Sequence, residues 1–434
     1  MNTEKQDLLA RRRRLLGPNL PTFYDEPLHL VKGEGVWLWD AEGKKYLDCY
    51  NNVPHVGHSN PRVVDAIHRQ ASTLNTHTRY LHETILDYVE RLTTTFDDSL
   101  STVIMTCTGS EANDIAMRMA EGITGKQGII ATDATYHGNT ALVSQLSRSN
   151  VPGVGAAFAE LVRHVPAPDS YRPLGGEAGA AHAAAFAKAV EEQIHALNRS
   201  EFGFAGIILC PFFVNEGFPN LAQGWLQPTI DVVRAAGGVI IADEVQPGFG
   251  RLGSHMWGHQ KQGFVPDIVT LGKPMANGHP VGAVVTSADT MAAFRKAFRY
   301  FNTFGGNPVS CAAALAVLDE IENKGLVANA KSVGDYAQQK MQALAQKFDF
   351  IGDVRGSGLL FGAEFVLDRS SKEPATEFTA RVVNEMCTRG IILSSLGQGK
   401  NTLKIRPPLP FSTQNADFLF DTLEAVLTEL PLRP

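Results

Sequence analysis

Lys273 stands where a lysine has little structural reason to be. It follows the apolar run 268–271 and lies between Gly272 and Pro274. Most lysines are surface charges on long stems, whereas burial lowers the pKa of a lysine because it penalises the ammonium form. A free amine of this kind is a nucleophile toward carbonyl carbon. The position therefore predicts a lysine that forms an imine with a carbonyl cofactor.

A second candidate, Asp243, ends the apolar run 239–242. Ligands of open α/β sheets bind outside the carboxyl ends of the strands, which is where this carboxylate is expected. Because a buried acid without a partner is costly, Asp243 requires a cation nearby. Two partners fit: a protonated ring nitrogen of a cofactor, or a structural ion pair with Arg251.

Two loops have the composition of phosphate-binding segments. Gly109 and Ser110 follow an apolar strand and open a helix, where free backbone N–H groups and a hydroxyl suit an anion. The alternative there is a simple helix cap by Ser110. Thr303 lies in the Gly-rich stretch 301–308, before a long helical pattern, and its alternative is a loop without a ligand.

An aromatic candidate completes the set. Tyr136 and His137 follow the second strand-like run, and the tyrosine ring suits stacking on a flat heterocycle, with a core tyrosine as the alternative. An imine-forming lysine, an acid for a ring nitrogen, a stacking ring and two phosphate loops together describe pyridoxal 5'-phosphate (PLP).

The elements that carry these residues predict an α/β fold. Six runs are apolar throughout, which implies burial on both faces and a mostly parallel sheet flanked by helices. These runs are 102–106, 128–132, 206–210, 238–242, 268–271 and 281–286. We also expect a hairpin over 35–48, a partly helical insert over 156–199, and helices over 111–121, 225–236 and 309–322.

The composition changes after residue 324 to charged helices with short strands at 358–364 and 402–405. This change predicts a smaller α+β domain formed from both termini. We expect an N-terminal segment over 1–75 that joins it, a large PLP-binding α/β domain over 76–324, and the C-terminal part of the small domain over 325–434.

Composition narrows the class of protein. The 434 residues are 44% hydrophobic and 19% charged with a net charge of -6, as in soluble globular enzymes and unlike nucleic-acid-binding surfaces. The five cysteines are widely spaced without a CxxC pair, which argues against a metal site or disulfide framework. The N-terminus lacks a signal-peptide apolar region, and no apolar run is long enough for a membrane span. We expect a cytoplasmic enzyme with no metal and with no nucleic-acid or membrane partner.

The chain resembles the class III aminotransferase family, PLP enzymes of fold type I, over nearly its full length. The matching motifs, in order, are GSEAN at 109–113, YHG at 136–138, DEVQ at 243–246, GK at 272–273 and TFGGNP at 303–308. The resemblance implies a Schiff base on Lys273, which then moves the substrate proton, and a contact of Asp243 with the pyridinium nitrogen.

Further cofactor contacts are implied by the same resemblance. Gln246 approaches the phenolic oxygen, while Tyr136 and Val245 lie on opposite faces of the ring. The phosphate is held by Gly109 and Ser110 together with Thr303 of the other subunit, so the family pattern implies a homodimer with shared sites.

Within the family the chain is most similar to the phospho-lyases that act on ethanolamine phosphate and phosphohydroxylysine. The likeness lies in residues 46–58, 74–82, 272–280 and 403–408. One departure from ordinary class III aminotransferases is Cys210-Pro211 in place of a Glu-Pro pair; Glu216 is the nearby acid that could pair with a substrate-gating arginine instead.

Substrate recognition is expected from groups that could bind a leaving phosphate or a carboxylate, because a developing charge must be held by preorganised donors. The alternatives are a structural ion pair for Arg79, a helix cap or core hydrogen bond for His55, and a substrate carboxylate for Arg406. The candidate substrate-binding residues are Tyr50, His55, Arg79, Glu216 and Arg406, with His77 as a further candidate for the phosphate.

The expected function is PLP chemistry on small primary amines, leaning toward elimination of phosphate from an amino-alkyl phosphate. The alternative is an ω-aminotransferase that passes the amino group to pyruvate or 2-oxoglutarate. A non-catalytic relative is disfavoured because Lys273, Asp243 and Gln246 are all present.

Overall fold

The structure is a computed structural model that describes residues 3–18, 20–148 and 160–433. Over these ranges twelve α-helices are present: α1 Thr3–Leu16, α2 Pro61–Thr73, α3 Glu83–Thr93, α4 Gly109–Thr124, α5 Ala180–Asn198, α6 Gln227–Ala235, α7 Gly258–Gln262, α8 Ala288–Ala297, α9 Pro308–Asn323, α10 Leu326–Lys347, α11 Thr376–Thr388 and α12 Thr413–Glu429. A short 3-10 helix covers Val143–Leu146.

The same ranges contain fifteen strands, which form three sheets. They are β1 Leu30–Glu34, β2 Trp37–Asp40, β3 Lys45–Asp48, β4 Thr102–Thr106, β5 Gly128–Thr132, β6 Val162–Val165, β7 Phe204–Leu209, β8 Val239–Asp243, β9 Ile268–Leu271, β10 Gly282–Thr286, β11 Ile351–Ser357, β12 Leu360–Phe365, β13 Ile391–Ile392, β14 Ser394–Leu396 and β15 Thr402–Lys404.

The central sheet has seven strands in the order β4-β10-β9-β8-β7-β5-β6. Pairing is parallel from β9 through β8, β7 and β5 to β6, whereas β10 is antiparallel to both β4 and β9. Strands β5, β7, β8, β9 and β10 are buried at every residue, because helices cover both faces. The expected α/β architecture with a mostly parallel sheet is confirmed.

Two four-stranded sheets complete the fold. In the first, β1, β2 and β3 form an antiparallel ribbon, and β13 from the C-terminal part adds to β3 in parallel. In the second, β11 and β12 pair with β15 and β14. The N-terminal segment thus shares a sheet with the C-terminal region, while the boundaries at 75 and 324 stay predictions.

Sequence patterns located most elements to within a few residues. The expected strand at 358–364 begins later, since Gly358 has a φ of +54° and forms the turn between β11 and β12. Strand β11 was not expected, because its mixed burial gives no continuous apolar run. In the insert over 156–199, β6 and α5 are present, while residues 156–159 lie outside the described residues.

Two further features bear on the class of protein. All five cysteines are free thiols, and four of them are buried. No helix among the described residues combines the length and the apolar character needed to cross a bilayer.

Candidate active site

A cleft of about 310 Å³ opens at the carboxyl ends of β7, β8 and β9. Its floor is built by three residues that follow or end these neighbouring parallel strands: Cys210, Asp243 and Lys273. Because parallel strands end at one edge of the sheet, residues far apart in sequence meet there.

Lys273 lies two residues beyond β9, and its side chain is exposed to the cleft while protein surrounds it on the other sides. This partial desolvation lowers the pKa of its amine, and the positive charge of Arg406 lowers it further. The carboxylate of Asp243 and the thiol of Cys210 oppose the shift. The result is an amine that loses its proton more readily than an ordinary lysine.

Asp243 is buried and fully engaged in hydrogen bonds. Its Oδ2 accepts from Asn113 Nδ2 at 3.0 Å and lies 2.6 Å from His137 Nδ1, while its Oδ1 accepts from the backbone N–H of Val245 at 3.0 Å. The structural ion pair with Arg251 is therefore not what the structure contains. Arg251 donates instead to the backbone oxygens of Leu359 and Pro407.

A chain of polar contacts supports this carboxylate from behind. His137 Nε2 lies 2.9 Å from Thr135 Oγ1, so one ring nitrogen contacts the acid and the other a hydroxyl. Asn113 also donates to the backbone oxygen of His137 at 2.7 Å and accepts from Thr270 Oγ1 at 2.6 Å. Asn113 belongs to one of the matching motifs but was not predicted to have a role. Its position on α4, one turn from Gly109, could have identified it as a residue near the site.

The N-terminus of α4 forms one wall of the cleft. Thr108, not Ser110, is the N-cap, because its side chain accepts the N–H of Glu111 at 3.1 Å. Ser110 Oγ instead accepts the N–H of Asn139 at 3.2 Å. The first N–H groups of a helix have no partner inside it, so those of Gly109 and Ser110 are suited to an anion.

Close packing at this wall requires glycine. A Cβ on Gly109 would come within 2.9 Å of Val245 Cγ2, and one on Gly138 within 2.7 Å of Ser110 Cα. Gly138 also has a φ of +142°, which side-chain-bearing residues rarely adopt. The two glycines thereby let Val245 pack closely against the start of α4 and the 136–138 loop pack against Ser110.

The remaining walls come from the other predicted cofactor residues. Tyr136 lines the cleft with 37% of its surface exposed, so it is not a core tyrosine, and Val245 lines it from the end of β8. Gln246 donates to Asn215 Oδ1 at 3.1 Å, and its Oε1 accepts from Arg406 and, at 3.3 Å, from Lys404.

These groups fit PLP. An amine with a lowered pKa, a buried carboxylate, an exposed aromatic ring and an anion-binding helix N-terminus all line one cleft. Such a donor set would hold the aldehyde carbon at Lys273, the ring nitrogen at Asp243 and the phosphate at Gly109 and Ser110.

Two predicted residues lie elsewhere in the single chain. Thr303 and Arg79 are exposed and are not part of the cleft lining. The guanidinium of Arg79 lies 3.7 Å from the ring centre of Phe301, and His77 stacks on Tyr80 with ring centres 5.0 Å apart. These loops form an exposed cluster with no ion pair to Arg79 among the described residues.

His55 was expected to contact the substrate, but it does not line the cleft. It is fully buried outside the cleft, with Nε2 2.7 Å from the backbone oxygen of Phe249 and Nδ1 3.1 Å from a guanidinium nitrogen of Arg251. Both ring nitrogens are occupied, so the alternative of a core hydrogen bond describes this residue and a substrate contact does not.

Glu216 and Tyr50 lie near the cleft but do not line it. Glu216 is buried against Thr132 Oγ1, and burial raises the pKa of its carboxyl. Tyr50 contributes its backbone oxygen, which accepts from Nε and Nη2 of Arg406 at 3.2 and 3.1 Å. No Arg–Glu216 ion pair is present among the described residues.

Lys404 was not predicted as a site residue, although its motif was recognised. It lies next to Arg406 and Gln246. The signal was the spacing of two along a strand, which places Lys404 and Arg406 on one face.

Comparison with known proteins identifies the family of this chain. The family model described as "Aminotransferase class-III" matches residues 22–427. An alanine–glyoxylate aminotransferase 2-like protein of Drosophila melanogaster is 41% identical, covering 98% of this chain and 88% of that protein. An ethanolamine-phosphate phospho-lyase homolog 1 of Caenorhabditis elegans is 34% identical, covering 98% and 94%.

A solved structure extends the likeness to three dimensions. The phospholyase from Arthrobacter in complex with phosphoethanolamine superposes with a TM-score of 0.93 and 43% identity, covering 98% of this chain and all of that one. Family, fold and site geometry lead to the same conclusion: the chain belongs to the class III aminotransferases, and it is a PLP-dependent enzyme.

Proposed function

We propose that this enzyme is a phospho-lyase that acts on a small amino-alkyl phosphate such as phosphoethanolamine. The observation that carries the proposal is the buried guanidinium of Arg406 beside the cleft, whose three hydrogen bonds within the described part of the chain go to neutral oxygens of Tyr50 and Gln246. Burial lowers the pKa of Arg406 to about 10. Among the described residues no carboxylate forms an ion pair with Arg406, although the charge of Asp48 acts on it from farther away. A buried cation without an acidic group in direct contact favours an anionic substrate group.

The residues of this chain divide the work of the reaction. When bound, PLP supplies an electron sink for the charge left at the substrate Cα. Lys273, whose lowered pKa leaves its amine free to accept a proton, removes the Cα proton. Asp243 would stabilise positive charge at the ring nitrogen of bound PLP, and Asn113 and His137 keep that carboxylate in place.

Loss of phosphate from the neighbouring carbon follows from this charge. The C–O bond breaks, the electrons leave with the phosphate oxygen, and hydrolysis of the remaining enamine yields an aldehyde. Phosphoethanolamine and one water thereby give acetaldehyde, ammonia and inorganic phosphate. Arg406 would stabilise the leaving dianion as its charge develops.

A second candidate is transamination with pyruvate or 2-oxoglutarate. Arg406 could bind a carboxylate equally well in geometric terms, and one similar protein is named as an alanine–glyoxylate aminotransferase 2-like protein. In transamination Lys273 gives back the proton that it removed, and no phosphate leaves the substrate. The two candidates differ in which anion the site holds best.

We also propose that two copies share their sites. The loops that carry Arg79 and Thr303 expose large apolar side chains, including Leu81 at 100%, Phe304 at 71% and Tyr80 at 65%. Exposed apolar clusters of this kind mark interfaces, so Thr303 and Arg79 would reach the partner's cleft. The cytoplasmic location stays a prediction.

The test is a product assay. Purified enzyme loaded with PLP is incubated with phosphoethanolamine without keto acid, and free phosphate and acetaldehyde are measured. We expect both products in equal amounts, and no turnover or borohydride-fixed cofactor in Lys273→Ala. Absence of phosphate release, with alanine formed from pyruvate and an amine, would replace the lyase by the aminotransferase.

A further inference from the structure

Glu216 is a buried acid to which the mechanism above assigns no work. It is 5% exposed and lines a small cavity of about 130 Å³ instead of the cleft. One of its carboxyl oxygens accepts the hydroxyl of Thr132, while Oε2 has no partner in hydrogen-bond geometry among the described residues. An ionised carboxyl in this place would lack the donors that a buried charge requires. The surroundings therefore favour the neutral, protonated acid.

The charged groups around Glu216 support the neutral form. Two arginines line the same cavity, Arg172 and Arg355. Both form ion pairs with members of a set of three carboxylates, which are Asp169, Asp353 and Glu364. These pairs leave no surplus positive charge within this described part of the chain. Burial raises the pKa of Glu216, and it also raises the pKa of the neighbouring Cys210 thiol, which stays uncharged.

A short series of polar groups joins this acid to Asp243. The hydroxyl of Thr135 acts on the carboxyl of Glu216 as a hydrogen-bonding group, and its Oγ1 lies 2.9 Å from Nε2 of His137. Nδ1 of the same ring lies 2.6 Å from Oδ2 of Asp243. A neutral imidazole has one donor and one acceptor nitrogen, so the direction of the hydrogen bond at one nitrogen decides the direction at the other.

We propose that Glu216 and Thr135 are positioning residues for the carboxylate of Asp243. Glu216, as a neutral acid, donates to Thr135, and Thr135 donates to Nε2 of His137. The Nδ1–H of His137 then donates to Asp243, which keeps its full negative charge for the ring nitrogen of bound PLP. The inference rests on the proposed contact between Asp243 and that ring nitrogen, and it applies equally to elimination and to transamination.

The opposite direction of the series has a different consequence. An ionised Glu216 would accept from Thr135, so Nε2 of His137 would have to carry a proton and the ring would be a cation. A cation in contact with Asp243 offsets part of the negative charge that the ring nitrogen requires. The two directions therefore differ in the protonation state of Glu216 and in how strongly the protein holds PLP.

Three variants separate these directions. Glu216→Gln keeps a neutral donor and an acceptor, Glu216→Leu removes both, and Thr135→Val interrupts the series at its hydroxyl. Glu191→Gln, at an exposed position on α5, is the matched control. Dissociation constants for PLP are measured by equilibrium dialysis of each holoenzyme at neutral pH, and infrared spectra record the C=O stretching band that a protonated carboxylic acid has and a carboxylate lacks.

We expect Glu216→Leu and Thr135→Val to hold PLP about tenfold more weakly than the wild type. Glu216→Gln should stay within about threefold of the wild type, and Glu191→Gln should match it. Combining Thr135→Val with Glu216→Leu should cause no further loss, because the two residues act in series. The carboxylic acid band should be present in the wild type and in Glu191→Gln, and absent from Glu216→Gln.

The inference is overturned if Glu216→Gln leaves the carboxylic acid band unchanged, if Glu216→Leu or Thr135→Val binds PLP like the wild type, or if Glu216→Gln loses as much affinity as Glu216→Leu. Thr135→Val tests the series even where Glu216→Leu does not fold. Failure of the proposed cofactor contact is read separately from Asp243→Asn. Wild-type PLP affinity in that variant would remove the contact itself, whereas a loss there with no effect of Glu216 would mean only that Glu216 is idle.

Discussion

The two ends of the cleft differ in how protein groups stabilise their buried charges. At the cofactor end, Asp243 contacts Asn113, His137 and the N–H of Val245. At the substrate end, Lys404 and Arg406 share one amide oxygen of Gln246 and have no carboxylate among their hydrogen-bond partners in the described residues. One end is complete in the protein hydrogen bonds that fix its charged group, whereas the cations of the other end lack an acidic group among such partners.

This difference follows from what each end binds. A cofactor remains through many turnovers, so the carboxylate that faces it benefits from a fixed position held by several partners. A substrate must enter and leave, and a cation already neutralised by a protein carboxylate would have little attraction left for it. Under the proposed function, a cation without an acidic contact is a cost to folding that a bound substrate anion offsets.

The largest effect should come from Asp243→Asn, which removes the charge of the complete end and keeps its shape. Losing one partner of a buried charge pair costs about 3–5 kcal/mol, so kcat/KM should fall by about 10² to 10⁴-fold. Steady-state kinetics with saturating PLP measures this change.

Asp243→Glu serves as the matched control, since it retains the charge and changes only its reach. It should retain more activity than Asp243→Asn. A loss of less than about tenfold in Asp243→Asn would mean that the complete end does not carry the reaction, and the contrast between the two ends would be lost.

A smaller effect is expected from the residues that hold Asp243. Asn113→Ala removes a donor to the buried carboxylate, which should lower the free energy of unfolding by about 1–3 kcal/mol. Thr270→Val removes only the hydroxyl that donates to Asn113, at about 1 kcal/mol. Urea unfolding of the PLP-free proteins gives both values, and kcat/KM should fall in the same order. An unchanged kcat/KM in Asn113→Ala would show that Asp243 needs no support.

The cofactor end was the more predictable from sequence. Lys273 follows one apolar strand and Asp243 ends another, and the parallel pairing of these strands brings both residues to one edge of the sheet. The apolar pattern of the sequence was enough to predict this position. The hydrogen-bond partners of Asp243 were harder to predict. Arg251 and His137 both have suitable side chains, and only the positions of their loops in the structure decide between them. His55 shows the same limit: its residue type suits a substrate contact, but its surroundings make it part of the core.

Lys404 was missed for a physical reason. A sequence shows which charges share a face, but not whether a carboxylate from another element lies opposite them. Thr303 and Arg79 show that the same uncertainty applies to contacts between subunits, because both residues are exposed in the single chain. A sequence therefore does not show whether a charged or exposed side chain lacks a partner in the folded chain.

The smallest effect concerns Arg251, a buried cation whose two terminal nitrogens have partners in the core, whereas its Nε has none among the described residues. Its hydrogen bond to Nδ1 requires His55 to be neutral, and burial together with the charge of Arg251 keeps the pKa of His55 well below 6.5. Below that pH the unfolded chain takes up a proton at His55 and the folded protein does not. His55 therefore removes stability as the pH falls from 6.5, by up to about 1.4 kcal/mol per pH unit.

His55→Gln tests this contribution. The variant should be less stable at pH 7.5, because it disturbs two hydrogen bonds, but its free energy of unfolding should fall less steeply between pH 6.5 and 5.5. Urea unfolding at three pH values measures the slope, with His255→Gln, at an exposed position, expected to follow the wild type. Parallel curves for His55→Gln and the wild type would mean that Arg251 tolerates a second positive charge. In that case crowding of cations alone would not identify the substrate end, and its identification would depend on the neutral hydrogen-bond partners of Arg406.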